Sequence, residues 1–247
     1  MFAFGGSSQS RNSVEMYDPD KNTWEDRADF PVTRDISLAV PFSIPASIPK
    51  AVPNLEEHWI NRFRAFSLKE ELIIAIVDCG FRYPREVQTE CLPPAIEGRD
   101  VLCQSDAKTG QTTMQAIAVL QQLKPIDGEE SALFVCSTRE KTTNTEQKMK
   151  LLSRYFENIK IASFVGGTSI KKDAAVLNKD QPHIVIGTPA RIIALVQSGS
   201  LDLNNIKHLV IDDADNIISD NGICTIVEKI FNSSSKNKQV IITTNNM

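Results

Sequence analysis

At 247 residues, 41% hydrophobic and 23% charged, the chain has an ordinary globular composition and room for one large domain plus a small extra piece. Its net charge of -4 excludes a wholesale basic nucleic-acid binder, and residues 54–247 alone carry 22 Lys and Arg against 24 Asp and Glu, so any nucleic-acid surface is a local patch. No apolar run approaches the roughly 20 residues of a bilayer span, and no charged-then-apolar leader opens the chain. The five cysteines (Cys79, Cys91, Cys103, Cys136, Cys224) form no Cys-x-x-Cys pair, which argues against a zinc site or a disulfide framework. These features predict a soluble, intracellular protein with no membrane partner.

Residues 1–40 read as short extended segments broken by polar turns. Phe2-Ala-Phe4 leads into Gly5-Gly6, then Ser13–Tyr17, a turn at Asp18-Pro-Asp20, and Thr23-Trp24, followed by Pro31 and Arg34. Paired glycines, then a Tyr and a Trp in this order, resemble a single Kelch repeat. One blade cannot bury its faces without neighbours, so the segment is expected to pack poorly against the rest and to form at most a small hairpin sheet. Pro41, Pro45, Pro49 and Pro53 follow, interleaved with Ser and Ala. Such proline density cannot continue a helix or a central strand, and 41–53 is predicted to be a linker.

From Asn54 onward helix and strand patterns alternate. Ser67-Leu-Lys-Glu70 reads as a capping box opening an apolar helix that Gly80 stops. Apolar strands are predicted at Asp100–Cys103, Ala132–Cys136, Lys160–Val165, His183–Gly187, Lys207–Ile211 and Gln239–Thr243, with helices at about 112–123, 140–156, 169–178, 189–198 and 222–231. Continuous apolar strands alternating with helices specify an α/β fold, a parallel sheet of about six or seven strands covered on both faces. Ligands bind such sheets beyond the C-terminal strand ends, which places the chemistry just after Cys103, Cys136, Gly187 and Ile211.

After the first of these strands, Ser105-Asp-Ala-Lys-Thr-Gly110-Gln-Thr112 enters a helix. Small residues at a strand-to-helix turn suit a phosphate-cradling loop, or equally an ordinary turn. A working P-loop also needs a Lys before the Ser/Thr, and here Gln111 precedes Thr112. At the end of the fifth strand stands Asp212-Asp213-Ala214-Asp215. A first Asp there can hold magnesium and the next carboxylate can orient water; a solvated acidic turn would look the same.

Several further stretches make the reading specific. Gly80-Phe81-Arg-Tyr-Pro84-Arg-Glu-Val-Gln88 resembles the adenine-reading Q motif of DEAD-box RNA helicases. Ser137-Thr-Arg139-Glu140, Gly166-Gly167 and Thr188-Pro-Ala-Arg191 resemble, in order, that family's three RNA-contacting motifs, and Asp212–Asp215 takes the place of its naming box. Ala75–Phe81, Leu120–Leu123 and Ser169–Asp173 look most like the Asp-Glu-Cys-Asp-box subgroup of splicing and mRNA export. The resemblance covers about 54–247 and implies a RecA-like, P-loop NTPase-type first helicase domain there. It implies ATP and Mg²⁺ as cofactors, with Phe81, Gln88, Lys108, Gly110, Gln111 and Thr112 meeting the nucleotide, Thr112 and Asp212 the metal, and Asp213 the catalytic carboxylate. It further implies RNA contact through Thr138, Arg139, Gly167, Thr188 and Arg191, protein partners shared with the splicing and export helicases, and a nuclear or cytoplasmic, by resemblance nuclear, location.

The departures bear directly on activity. An ungapped register from Cys103-Gln104 to Leu120–Leu123 puts Gln111 at the family's P-loop lysine and Lys108 at its first glycine; a shifted register matching Ala107–Gly110 puts Thr113 at the lysine position. Neither restores the lysine, and a Lys108 side chain starts where a Cα should approach the anion. Asp213 replaces the catalytic glutamate and sets its carboxylate back by roughly one C–C bond, about 1.5 Å. The family's Ser-Ala-Thr motif falls on Thr244-Asn245-Asn246, and the expected second RecA-like domain, which delivers arginine fingers, does not follow within the sequence. The expectation is a helicase relative with weak or no ATP hydrolysis, a pseudoenzyme with at most weak nucleotide and RNA binding. The alternatives are a non-catalytic interaction protein that competes for partners of the full-length helicase, and a truncated gene product without a selected role.

Overall fold

The computed structural model describes residues 2–4, 14–18, 23–27, 62–126 and 128–245. Six parallel strands form the body of one sheet: β4 (Val101–Gln104), β5 (Ala132–Cys136), β6 (Ile161–Phe164), β7 (Ile184–Gly187), β8 (His208–Asp212) and β9 (Gln239–Thr244). Their spatial order is β4-β9-β8-β5-β7-β6. Each lies within a residue or so of its predicted span, because β5, β7 and β8 are buried on both faces and read as unbroken apolar runs.

The N-terminal strands β1 (Phe2–Phe4), β2 (Val14–Asp18) and β3 (Thr23–Arg27) form the antiparallel ribbon expected of a Kelch-like segment. They are not a separate sheet. β1 runs parallel to β4, pairing Phe2 with Val101 through Phe4 with Cys103, and extends the main sheet to nine strands. This corrects the expectation of a detached hairpin, and the reason is elementary. Without β1 the outer side of β4 would be an edge with unpaired backbone donors and acceptors, and any extended segment nearby can satisfy them. Pro31, Arg34 and the proline-rich stretch 41–53 lie outside the described residues.

Helices α1 (Glu70–Asp78), α2 (Glu86–Ile96), α3 (Gln111–Gln122) and α4 (Arg139–Leu152) pack on one sheet face. Helices α5 (Ile170–Asp180), α6 (Pro189–Gln197), α7 (Ala214–Ile218) and α8 (Asn221–Ser233) belong to the other. The capping box at Ser67 does not form. Ser67 has φ 52 and closes a 3-10 turn over Arg62–Phe66, α1 starts at Glu70, and the Lys69 N–H is satisfied instead by Gln121 Oε1 at 2.8 Å. Gly80, at φ 74, does end α1, its N–H donating to the Val77 carbonyl. Helix α2 was hidden in the sequence by Pro93 and Pro94; burial of Val87, Gln88, Cys91, Leu92 and Ala95 holds it helical. All five cysteines are free thiols, with Cys91, Cys103 and Cys136 buried.

Candidate nucleotide and RNA site

The C-terminal ends of β4, β9, β8, β5 and β7 open onto one edge, and the predicted motifs gather there. β4 ends at Gln104 and the loop 105–110 turns into α3 through Gly110, at φ 105. At this φ a side chain is strained, and a Cβ on Gly110 would also lie 2.7 Å from Gln88 Nε2 and displace it. Lys108 is exposed and held at φ 67, a left-handed backbone that residues with side chains rarely adopt. Its carbonyl accepts 2.8 Å from Arg85 Nη1, which ties the loop to the start of α2. Relieving the left-handed strain outweighs the extra freedom glycine gives the unfolded chain, so Lys108→Gly should stabilise the protein by about 0.5–1 kcal/mol, read as a raised urea midpoint.

The Gln111 side chain is committed within the protein. Its buried amide donates to the Ser105 carbonyl at 2.9 Å, to Ser105 Oγ at 2.8 Å and to the Thr244 carbonyl at 3.1 Å, and so closes the loop across the ends of β4 and β9. Gln88 is committed in the same way. Its Oε1 accepts the Arg85 N–H at 3.0 Å and its Nε2 donates to the Gly110 carbonyl at 3.3 Å. Phe81 packs half-buried on the core, with Lys148 Nζ 5.2 Å from its ring centre. Thr112 is half-buried in the first turn of α3.

Asp212 ends β8 fully enclosed. Its Oδ1 accepts from Thr243 Oγ1 at 2.8 Å and Gln115 Nε2 at 3.2 Å, whereas its Oδ2 and Gln115 Oε1 have no hydrogen-bond partner. Asp213, at φ 66, caps α7 and sits in a cage of donors drawn from three elements. Ser137 Oγ (2.7 Å) and Asn216 Nδ2 (2.5 Å) donate to its Oδ2; Asn245 Nδ2 (2.7 Å) donates to its Oδ1, with Lys141 Nζ at 3.6 Å. Burial pushes this carboxyl up, but the hydrogen bonds from Ser137 and Asn216, the Lys141 charge and the Asn245 bond outweigh it, and the group stays below its ordinary value of 3.8. A depressed folded pKa contributes stability that is complete above the unfolded value and is lost as pH falls through the folded one. Asp213→Asn should therefore lower the urea midpoint at pH 7, and the gap to the parent should close as the pH drops below 3.8. A gap that widened in acid would contradict this assignment.

Beyond β5, Thr138 caps α4, accepting the Lys141 N–H at 3.1 Å. The exposed Arg139 lays its guanidinium along the Gly166-Gly167 turn, 3.3 Å from where a Gly166 Cβ would stand and 3.6 Å from one on Gly167. Thr188 caps α6 with Pro189 at its first position. Arg191, by contrast, is buried. It pairs with Asp173 Oδ2 at 3.2 Å and donates to the Thr168 carbonyl at 2.7 Å, while Thr168 Oγ1 donates to Asp173. Thr138, Arg139 and Gly167 are therefore exposed, Thr188 is half-buried at the start of α6, and Arg191 braces the Thr168 end of the turn from below.

Ser137, Lys141, Asn216 and Asn245 were not singled out as site residues. The available signal lay at Asn245, a large polar side chain where the Ser-Ala-Thr motif has a methyl group. Nothing in a linear reading brings Ser137 and Asn216 to the same carboxylate.

Comparisons with known proteins agree with this geometry. The family description DEAD/DEAH box helicase matches residues 85–246, and the Kelch motif matches residues 1–31. Human ATP-dependent RNA helicase DDX39A is 44% identical over 180 residues, 73% of this chain and 42% of that protein; DEAD-box ATP-dependent RNA helicase 56 of Oryza sativa subsp. japonica is 42% identical with the same coverage. The chain thus spans well under half the length of these relatives. A DEAD box protein from the hyperthermophile Methanococcus jannaschii superposes with a TM-score of 0.69 at 27% identity, covering 75% of this chain and 50% of that one. Dbp5 of S. cerevisiae bound to RNA and ADP BeF3 does so at 0.67 and 22% identity, covering 75% and 46%, a likeness of fold. With a RecA-like sheet, the family's motifs in order at its C-terminal edge and a family match across residues 85–246, well over half of its length, this chain belongs to the DEAD/DEAH box helicases.

Proposed function

We propose that this chain is a DEAD-box-family domain, spanning about 54–247 behind a Kelch-like segment (1–40) and a linker (41–53), that corresponds to the first RecA-like half of an RNA helicase and does not turn over ATP. The observation that carries this reading is the Gln111 amide. The position that should present a cation to the β- and γ-phosphates holds a neutral group bonded to Ser105 and Thr244. The left-handed Lys108 supports the register that places it at the family's first glycine. Asp213 adds to the case. A carboxylate offers about four acceptor positions; Ser137, Asn216 and Asn245 take three of them and the Lys141 ammonium stands 3.6 Å from Oδ1, so the group is committed within the protein rather than free to orient water.

Magnesium and the triphosphate fare differently. The orphaned Asp212 Oδ2 and Gln115 Oε1 are buried acceptors without a protein donor; Asp212, with the Thr112 hydroxyl, would hold Mg²⁺, which would neutralise phosphate charge. The loop itself lacks the fixed positive charge a triphosphate needs. RNA contact, through Thr138, Arg139, Gly167 and Thr188, is weak on this reading, because few phosphate contacts give little affinity. A nuclear site of action follows from kinship with the splicing and export helicases. The second reading, a decoy for their protein partners, is favoured by the exposed Ile170 within the subgroup-like stretch Ser169–Asp173.

Calorimetric titration of the full chain with ATP and Mg²⁺ tests the proposal. The expected dissociation constant is weaker than about 1 mM, a binding energy below about 4 kcal/mol, with Gln111→Lys tightening it about tenfold. Binding by the unmodified chain at tens of micromolar would overturn it.

A further inference from the structure

Helix α3 carries a glutamine where its packing favours a hydrocarbon. From Met114 through Leu120 every side chain is fully buried, and Gln115 is the polar one among them. A buried amide is destabilising unless its hydrogen bonds are made, and an unbranched methionine would fill the same space without that cost.

The donors of Gln115 converge on one carboxylate. Its Nε2 donates to Thr243 Oγ1 at 2.7 Å and to Asp212 Oδ1 at 3.2 Å, and Thr243 Oγ1 in turn donates to the same Asp212 oxygen at 2.8 Å. Both amide hydrogens and the threonine hydroxyl hydrogen are thereby used. The amide cannot be turned the other way, because its Oε1 would then face the carboxylate, acceptor against acceptor. α3, β8 and β9 meet in this triangle, and none of its three side chains is more than 1% exposed.

The bonding is one-sided. Asp212 Oδ1 accepts twice, and its Oδ2 has no partner. A carboxylate so enclosed, with one oxygen empty, is stabilised by a cation on the empty side, and on that ground the residues fit Mg²⁺. Thr112, whose hydroxyl would share the ion, stands three residues before Gln115 on α3, and residues so spaced are neighbours on a helix surface. One turn of α3 thus carries both the hydroxyl proposed for the metal and the amide that fixes the carboxylate. Gln115 Oε1 itself has no partner, so the residue holds Asp212 with its own bonding incomplete.

We infer that Gln115, together with Thr243, is a positioning residue for Asp212: the two anchor Oδ1 and so present Oδ2 to a divalent cation. The inference rests on the reading of Asp212 and Thr112 as the Mg²⁺ pair and adds to it what aims the carboxylate. Groups that orient a metal ligand from behind act on affinity, and losing one costs about 10–100-fold.

The test titrates Mn²⁺ alone into the full chain and reads the free ion by electron paramagnetic resonance. The parent should bind one ion, and Asp212→Asn should abolish that binding. Gln115→Met and Thr243→Val should each weaken Mn²⁺ about tenfold or more, whereas Thr243→Ser, which keeps the hydroxyl, should stay within about threefold of the parent. Met114→Leu, a repacking control on the same helix, should bind as the parent does, and all variants should keep its circular dichroism. If Gln115→Met loses its fold, Thr243→Val and Thr243→Ser decide alone. Parent-like affinity in Gln115→Met would overturn the inference and leave Asp212 standing as a ligand. An equal loss in Met114→Leu would also defeat it, because loosened packing would then explain both. No Mn²⁺ binding by the parent, or binding that survives Asp212→Asn, would remove the Mg²⁺ reading and the inference with it.

Discussion

Incubated with ATP, Mg²⁺ and RNA, the purified chain should release phosphate no faster than a blank, and Gln111→Lys with Asp213→Glu together should leave it there. Removing a preorganised charge partner of the transition state costs roughly 10²–10³ in rate, and displacing a reacting group by about 1 Å costs on the order of 10². Two such losses in one mechanism multiply to roughly 10⁴–10⁵, enough to sink turnover below detection. The repair fails for reasons visible in the packing. A lysine at 111 that reaches toward a phosphate gives up the Gln111 bonds to Ser105 and to the Thr244 carbonyl, and a glutamate at 213 enters a cage shaped for the shorter acid by Ser137, Asn216 and Asn245. Transition-state charge is also shared with arginines that the family's second domain delivers. Adding Asn245→Ala to open the cage and grafting that second domain onto the repaired chain should recover turnover, capped by Lys108 at a glycine position. RNA-dependent turnover by the unmodified chain, well above blank, would show that Gln111 has been misread.

What the linear chain could and could not disclose follows from the range of the interactions involved. β5, β7 and β8 were legible because burial on both faces writes an apolar run, and Gly80 and Gly110 because a left-handed backbone demands them. The Ser67 capping box was a false signal, since a local motif competes with tertiary partners, and Gln121 Oε1 accepts the Lys69 N–H instead. Helix α2 was missed because Pro93 and Pro94 outweigh its amphipathic face in a local reading. The strand-to-helix turn between β4 and α3 was legible, but the internal use of Gln111 depends on Thr244, 133 residues away. The docking of β1 on β4 is likewise a long-range edge effect. Arg191 was assigned to RNA by its motif, and its burial against Asp173 depends on how α5 and α6 pack.

That last pair has the largest expected effect on stability. Arg191→Ala should cost about 2–4 kcal/mol, because removing one partner of a buried ion pair leaves the other desolvated and unpaired. Both side chains are close to nine-tenths enclosed, at 9% and 11% exposure, so water can offset little of the loss. The Thr168 carbonyl also loses its donor, worth about 1 kcal/mol. Arg191→Lys should keep part of the ion pair and forfeit the forked geometry, for an intermediate loss of about 1–2 kcal/mol. Replacing the pair together, Arg191→Met with Asp173→Leu, should cost less than Arg191→Ala alone, since no charge is then stranded. Urea unfolding of the four proteins measures this ordering. A loss below about 0.5 kcal/mol for Arg191→Ala would place the pair in the screened, surface class. RNA binding then separates bracing from contact. If Arg191 holds the Gly166-Gly167 turn against α5 and α6, Arg191→Ala should weaken RNA binding no more than Arg139→Ala, whose guanidinium lies on the exposed side of that turn. Arg139→Ala should leave the urea midpoint within about 0.5 kcal/mol of the parent, as surface changes generally do.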